Sequence, residues 1–178
     1  MENNQEITRA AEYAAEAHKG QQYGDGPYTI HLEQVDLVLV HYGFRSNVAI
    51  RQAGLLHDVI EDTDKDKLDI VANFGDVVAD LVYAVTNEPG ANRKERQLAT
   101  YPKIRAVENA IIVKLADRLA NVQFSLQAAE DKRNKSLFGM YKKEYPGFRE
   151  ALYKKCKTFN ATPLVQMWAR LDDLLGDK

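Results

Sequence analysis

The sequence predicts an all-α bundle. Apolar residues recur at helical spacing in one segment after another. Glycines and prolines fall between those segments, where the chain must turn. With 178 residues, the chain is long enough for one domain over 1–178 to bury a sizeable core.

The elements follow in order. Ile7 to His18 carries Ala10, Ala11, Ala14, Ala15 and Ala17, small residues suited to close helix packing. Gly20 to Pro27 breaks the chain. Helices are expected over Leu32 to Tyr42 and Val48 to Ile60, with Gly43 between them. Thr63 or Asp64 is the expected cap of a short helix through Phe74 that Gly75 ends. The acidic run Asp64-Lys65-Asp66-Lys67 reads as a solvated helix start, because it lacks the glycine and final glutamate of a calcium loop. Asp76 to Val85 repeats apolar residues at helical spacing, and Glu88 to Asn92 is a loop. Val107 to Ala129 is the long central helix, and Gly139 to Cys156 and Pro163 to Leu175 complete the chain. The aromatic set Phe138, Tyr141, Tyr145, Phe148 and Tyr153 reads as core packing, as does Cys156.

Composition excludes several functional classes. A net charge of −2 announces no broad nucleic-acid-binding surface. No stretch reaches the roughly 20 apolar residues of a membrane helix. The N-terminal residues include acids and no apolar run, so no signal peptide is expected. The single cysteine suits a reducing cytosol. A cytoplasmic location is therefore expected, and the oligomeric state is left open.

The chemistry concentrates in His57-Asp58-Val59-Ile60-Glu61-Asp62, which follows the small apolar stretch Ala53-Gly54-Leu55-Leu56. Charged groups at the end of an apolar face are costly to bury unless paired or bound to a metal. His57 and Glu61 are spaced i and i+4, as are Asp58 and Asp62, so neighbours stack along one side. Close carboxylates repel, and a dication offsets that repulsion. His31 would stand near a helix start after Pro27. Asp117 lies within a strongly apolar helix, where Lys114, Asp117, Arg118 and Asn121 share a face. That pattern fits either a Lys114–Asp117 surface contact or a metal ligand. Two imidazoles and two carboxylates form a good donor set for one divalent transition ion. His18 and His41 have no acidic partner at ligand spacing and read as structural.

The order His31, His57-Asp58, Asp117 resembles the HD-domain metal-dependent phosphohydrolases. His57 to Thr63 resembles the HDxxEDT box of RelA/SpoT-type alarmone hydrolases, and Tyr28 to His31 their PYxxHP segment. Val85-Thr86-Asn87 with Arg93 to Gln97, and Val113 to Asn121, resemble two further stretches. The likeness covers roughly residues 8 to 125 and is to the stand-alone small hydrolases, with nothing like a synthetase domain.

The resemblance implies an HD-domain helical bundle in which His31, His57, Asp58 and Asp117 hold one Mn2+ ion. Glu61 and Asp62 would orient or deprotonate the attacking water, and Asn121 would contact the nucleotide. Lys19, Arg93, Lys94, Arg96, Lys114 and Arg118 could offset phosphate charge. The implied reaction removes the 3′-diphosphate of ppGpp or pppGpp as pyrophosphate. The sequence departs from the family at three places. Gln21-Gln22-Tyr23-Gly24-Asp25 lacks the basic motif that packs on guanine, leaving Tyr23 to stack on a base. Leu32 replaces a proline and Asn87 an aspartate. A phosphatase of the same fold acting on NADPH or a nucleoside phosphate, or a nucleotide-binding module without turnover, are the alternative readings.

Overall fold

The computed structural model describes residues 2–127, 132–158 and 161–176. These form α1 (Glu2–Ala17), a two-residue-strand hairpin β1 (Gln22–Tyr23) and β2 (Gly26–Pro27), then α2 (Thr29–Leu39) and α3 (Val48–Leu56). There follow α4 (Val59–Asp62), α5 (Lys67–Phe74), α6 (Asp76–Val85), α7 (Arg93–Ala106), α8 (Ala110–Gln127), α9 (Lys132–Leu152) and α10 (Thr162–Leu175). The expected all-α bundle is what forms. No helix among the described residues is long and apolar enough to cross a membrane.

The core sits around α8, which packs against α2, α3, α6, α7, α9 and α10. Ile111, Ile112, Val113, Leu115, Ala116, Leu119, Ala120 and Val122 are all buried, so this helix is apolar on nearly every side. A polar group on it is therefore enclosed wherever it points. On α1, Ala10 and Ala14 are fully buried and bring that helix close to α3. Gly54 lets α3 approach α2, since a Cβ there would lie 2.5 Å from Leu39 Cδ1.

Several boundaries differ from the pattern-based expectation. The helix expected over Val48 to Ile60 stops at Leu56, and His57 and Asp58 form a turn before α4. Asp58 sits at φ −99°, ψ −3°, and its carbonyl accepts from the amides of Glu61 and Asp62. The cap of α5 is Asp66 rather than Thr63 or Asp64. Its carboxylate accepts from Leu68 and Asp69 while Asp69 closes a reciprocal capping box. The central helix starts at Ala110, after Asn109 at φ +66°, and residues 128 and 129 of its expected span lie outside those described. α2 gives way after Leu39 to a wide turn over Val40–Phe44 with Gly43 at φ +93°. Helix α7 falls where the apolar pattern predicts no element. It is held instead by Asn92, whose side chain caps it by accepting from the Glu95 amide. Cys156 fills core space as expected, and so do Tyr145 and Phe148.

Candidate metal centre

Four side chains from two helices and a turn meet beside α8. His31 lies in the first turn of α2, and His57 and Asp58 occupy the turn between α3 and α4. Asp117 lies midway along α8. The Nε2 atoms of His31 and His57 are 3.2 Å apart. Asp58 Oδ2 lies 3.0 Å from His57 Nε2 and 3.7 Å from His31 Nε2. Asp117 Oδ1 lies 3.5 Å from His31 Nε2 and 3.7 Å from His57 Nε2. His31, His57 and Asp58 form the tightest donor group among the described residues, and Asp117 adds a fourth donor to both imidazoles. Donors about 2.1 Å from one ion lie about 3.0 Å apart in octahedral and about 3.4 Å in tetrahedral geometry. The observed spacings bracket those values, so the His31, His57 and Asp58 atoms fit one divalent ion, with Asp117 Oδ1 within 3.7 Å of both imidazoles.

Three of the four side chains are aimed by a hydrogen-bonding neighbour, whereas His31 Nδ1 is buried without one among the described residues. His57 Nδ1 donates to the Gly54 carbonyl at 2.8 Å, which leaves Nε2 as the atom able to coordinate a metal. Lys114 Nζ reaches Asp117 Oδ2 at 3.0 Å and Asn121 Nδ2 donates to Asp117 Oδ1 at 2.5 Å. Asp117 is thus at once the Lys114 contact and the partner of the histidines. The Tyr28 hydroxyl donates to Asp58 Oδ2 at 2.5 Å. Burial disfavours the charge on His57, but the adjoining Asp58, with Asp117, outweighs it and holds the imidazole pKa up at about 9. Burial likewise opposes ionisation of Asp117, yet Lys114 and the two histidines hold its carboxyl well below the usual carboxylate range. The cluster therefore carries paired opposite charges when only protons are present, as expected of donors that exchange a proton for a metal.

The two further acids face different ways. Asp62 Oδ2 is 3.4 Å from the Tyr28 hydroxyl, and burial together with the charges of Asp58 and Glu61 pushes its pKa up to about 6. Gln21 Nε2 donates to the Asp62 carbonyl at 2.7 Å and ties the hairpin to this turn. Glu61 points instead toward Asn87, which donates to both of its carboxylate oxygens.

A cavity of about 140 Å³ opens over these groups. Arg93, Lys114, Arg118 and Asn121 line it along with Glu61, as the sequence pattern suggests. Tyr23, Lys94 and Asp62 are not among its lining residues. Lys94 and Arg96 are exposed on α7, and Lys19 pairs with Glu16 at the surface. Tyr23 is engaged by two rings: it stacks on His31 at 4.8 Å and lies 4.3 Å from Phe124. Its hydroxyl donates to Asn121 Oδ1 at 3.0 Å. Gly24, at φ +62°, permits this packing, because a Cβ there would meet the Phe124 ring at 2.9 Å.

Sequence reasoning missed Gln97, Thr100, Tyr101 and Ile104, which line the cavity from α7. Their spacing from Arg93 marks one helical face, a signal visible in the sequence once a helix is assigned there. It also missed Glu144 on α9, which accepts from Arg93 Nε at 2.6 Å, Gln97 at 3.1 Å and Arg118 at 3.1 Å. This carboxylate holds both arginines against the cavity wall, and Arg118 stacks on Tyr141, itself a lining residue.

The HD-domain family pattern matches residues 10–141, a span that contains all four donors. The chain belongs to the HD-domain family. Membership carries with it a divalent metal centre, and the donor set just described fits one. The guanosine-3′,5′-bis(diphosphate) 3′-pyrophosphohydrolase of Aquifex aeolicus is 39% identical over 136 residues, covering 74% of this chain but 19% of that protein. The chain thus spans about a fifth of the length of the long bacterial relatives it matches. The Xenopus tropicalis guanosine-3′,5′-bis(diphosphate) 3′-pyrophosphohydrolase MESH1 is 38% identical over 123 residues, 66% of this chain and 68% of that one. A solved structure of a metazoan ortholog of SpoT superimposes with a TM-score of 0.71 over 94% of both chains at 23% identity, which shows a shared HD fold.

Proposed function

We propose that this HD domain is a manganese-dependent hydrolase acting on guanosine-3′,5′-bis(diphosphate), removing the 3′-diphosphate of ppGpp or pppGpp as pyrophosphate. The observation that carries the reading is the convergence of His31, His57, Asp58 and Asp117 beneath a cation-lined cavity. The relatives that share this sequence bear that activity in their names. Residues 1–178 would act as one catalytic unit holding a single ion. A bound dication supplies Lewis acidity toward water and a phosphoryl oxygen.

The chain's own groups do the rest. Asp62, one helical turn beyond Asp58 and beside the Tyr28 hydroxyl, would accept the proton of the attacking water. Glu61, fixed by Asn87, orients that water from the cavity wall. Arg93, Lys114 and Arg118 offset charge on the phosphate chain, and Asn121 positions the nucleotide end nearest Asp117. Lys94, exposed at the start of α7, would reach only the outer phosphates.

One observation favours a second reading. Tyr23 is packed between His31 and Phe124, and the loop around it supplies no cation for guanine. A phosphatase acting on NADPH or a nucleoside phosphate needs the same metal and acids but not that contact. The deciding experiment incubates purified protein and manganese with ppGpp, pppGpp, NADPH and common nucleotides, detecting phosphate and pyrophosphate separately. Pyrophosphate release from ppGpp supports the main reading. Phosphate release from another nucleotide supports the second, and metal-free protein without turnover would point to a binding module.

A further inference from the structure

The segment after α6 reaches into the site through one residue, Asn87. Its backbone N–H donates to Glu61 Oε2 at 2.9 Å and its side-chain Nδ2 donates to Glu61 Oε1 at 2.8 Å. Both oxygens of one carboxylate are therefore gripped by one residue, through its backbone and its side-chain donor. The residues on either side of Asn87 are themselves anchored to α7. Lys103 Nζ donates to the Thr86 carbonyl at 2.9 Å, and the Glu88 amide donates to Thr100 Oγ1 at 2.8 Å. Lys103 also pairs with the Glu88 carboxylate at 2.5 Å. Thr100 lines the same cavity. The grip on Glu61 is thus set by α7 and delivered by a short anchored segment.

We infer that Asn87 is a positioning residue that fixes the direction of the Glu61 carboxylate at the cavity wall, and that an amide is required at this position. The chemistry explains the requirement. Each carboxylate oxygen has lone pairs to spare after accepting one hydrogen bond, so the clamped Glu61 can still accept from water or substrate. A two-point contact removes rotation about the terminal bond, which a single contact leaves free. An aspartate at residue 87 would keep the backbone donor. Its side chain would set a carboxylate oxygen against Glu61 where the amide now donates, and Glu61 would turn away. The catalytic consequence rests on the proposed hydrolase reading, whereas the clamp itself is a property of the fold.

The test is a double-mutant cycle of Asn87→Asp with Glu61→Gln, read by turnover and by thermal unfolding of metal-free protein. Asn87→Asp should keep manganese and KM near the wild-type values and lower kcat by about tenfold or more, the scale of a misoriented catalytic group. In the Glu61→Gln background the same change should lower kcat by no more than about twofold, because a positioning residue is silent once its target is altered. The Tm readout should also be non-additive: each single change lowers Tm, and the pair recovers part of the loss because the amide introduced at position 61 can donate to the new carboxylate. Asn87→Ala, which removes the donor without adding charge, should lie between wild type and Asn87→Asp in kcat. Equal kcat losses in both backgrounds, or additive Tm shifts, overturn the inference. If wild-type protein fails to turn over ppGpp, the hydrolase reading falls, and the Tm cycle still decides whether the clamp exists.

Discussion

Tyr23→Phe separates two roles for one ring. Tyr23 is the ring that the sequence offers to stack on a base, whereas the structure packs it, half-buried, against His31 and Phe124 and joins its hydroxyl to Asn121. Asn121 Nδ2 in turn holds Asp117 Oδ1, the oxygen facing both imidazoles. Phenylalanine keeps the ring and removes only the O–H. Losing a neutral hydrogen bond costs about 1 kcal/mol, and up to about 3 kcal/mol if Asn121 Oδ1 is left without a donor. Removing a direct partner of a metal ligand weakens metal affinity by roughly 10- to 100-fold, and Tyr23 acts one contact further out, so the low end of that range applies. Such a loss corresponds to about 1.4 to 2.7 kcal/mol, so the two figures agree. Calorimetric titration of Mn2+ into metal-free protein should therefore show Kd raised about tenfold in Tyr23→Phe. KM for ppGpp at saturating manganese should stay within about twofold, because the change removes no substrate contact. Unchanged manganese affinity would refute this chain of contacts. If KM rises instead in Tyr23→Ala, with metal binding intact, the ring reads the base after all.

His57→Ala and Asp58→Ala should each abolish stoichiometric manganese measured by mass spectrometry, and retention of the ion in either variant would break the ligand assignment. In metal-free protein His57 has a folded pKa raised from 6.5 to about 9. Its contribution to stability is fully present below its unfolded pKa and lost as pH rises through about 9, so metal-free Tm should fall over that window, and titrating manganese near pH 8 should release a proton. Asp62→Asn should keep manganese yet lose about 100-fold or more in kcat, as expected for a general base. In wild type kcat should rise with pH up to about 6, where Asp62 loses its proton, a bound dication moving that limb lower. Glu144→Ala tests the support of the cation wall, since Arg118 is only 4% exposed and Glu144 is its acidic partner among the described residues. Leaving a buried charge unpaired costs about 3 kcal/mol, which in a chain of this size lowers Tm by roughly 6 to 12 °C. A Tm unchanged within a degree or two would show that the rings of Tyr141 and Phe148, 4.9 and 4.7 Å from the guanidinium, suffice to hold it.

The legible parts of this protein were those written in local patterns. Apolar spacing located α6, α8 and α10 to within a few residues and α1 except for its first turn, and the letters His57-Asp58 and Asp117 stood out because they interrupt apolar runs. Helix α7 stayed hidden because it is largely polar and its inner face carries Arg93, Gln97, Thr100 and Tyr101 with one aliphatic residue, Ile104. The break at His57 was equally invisible. The local pattern continues the helix through Ile60, and only the buried bond from His57 to Gly54 and the packing of the site select a turn there.

Sequence by itself determined the helical class and the family and singled out the four candidate donors, since each depends on residue type and spacing along one chain. Tertiary structure decided what those residues face. It turned Tyr23 inward onto Asn121, separated Glu61 toward Asn87 from Asp62 toward Tyr28, and set Glu144 between two arginines. Those contacts join residues 26 to 98 positions apart. Helical periodicity reports only neighbours three or four residues away, so long-range partners are selected by how the helices pack rather than by any local signal.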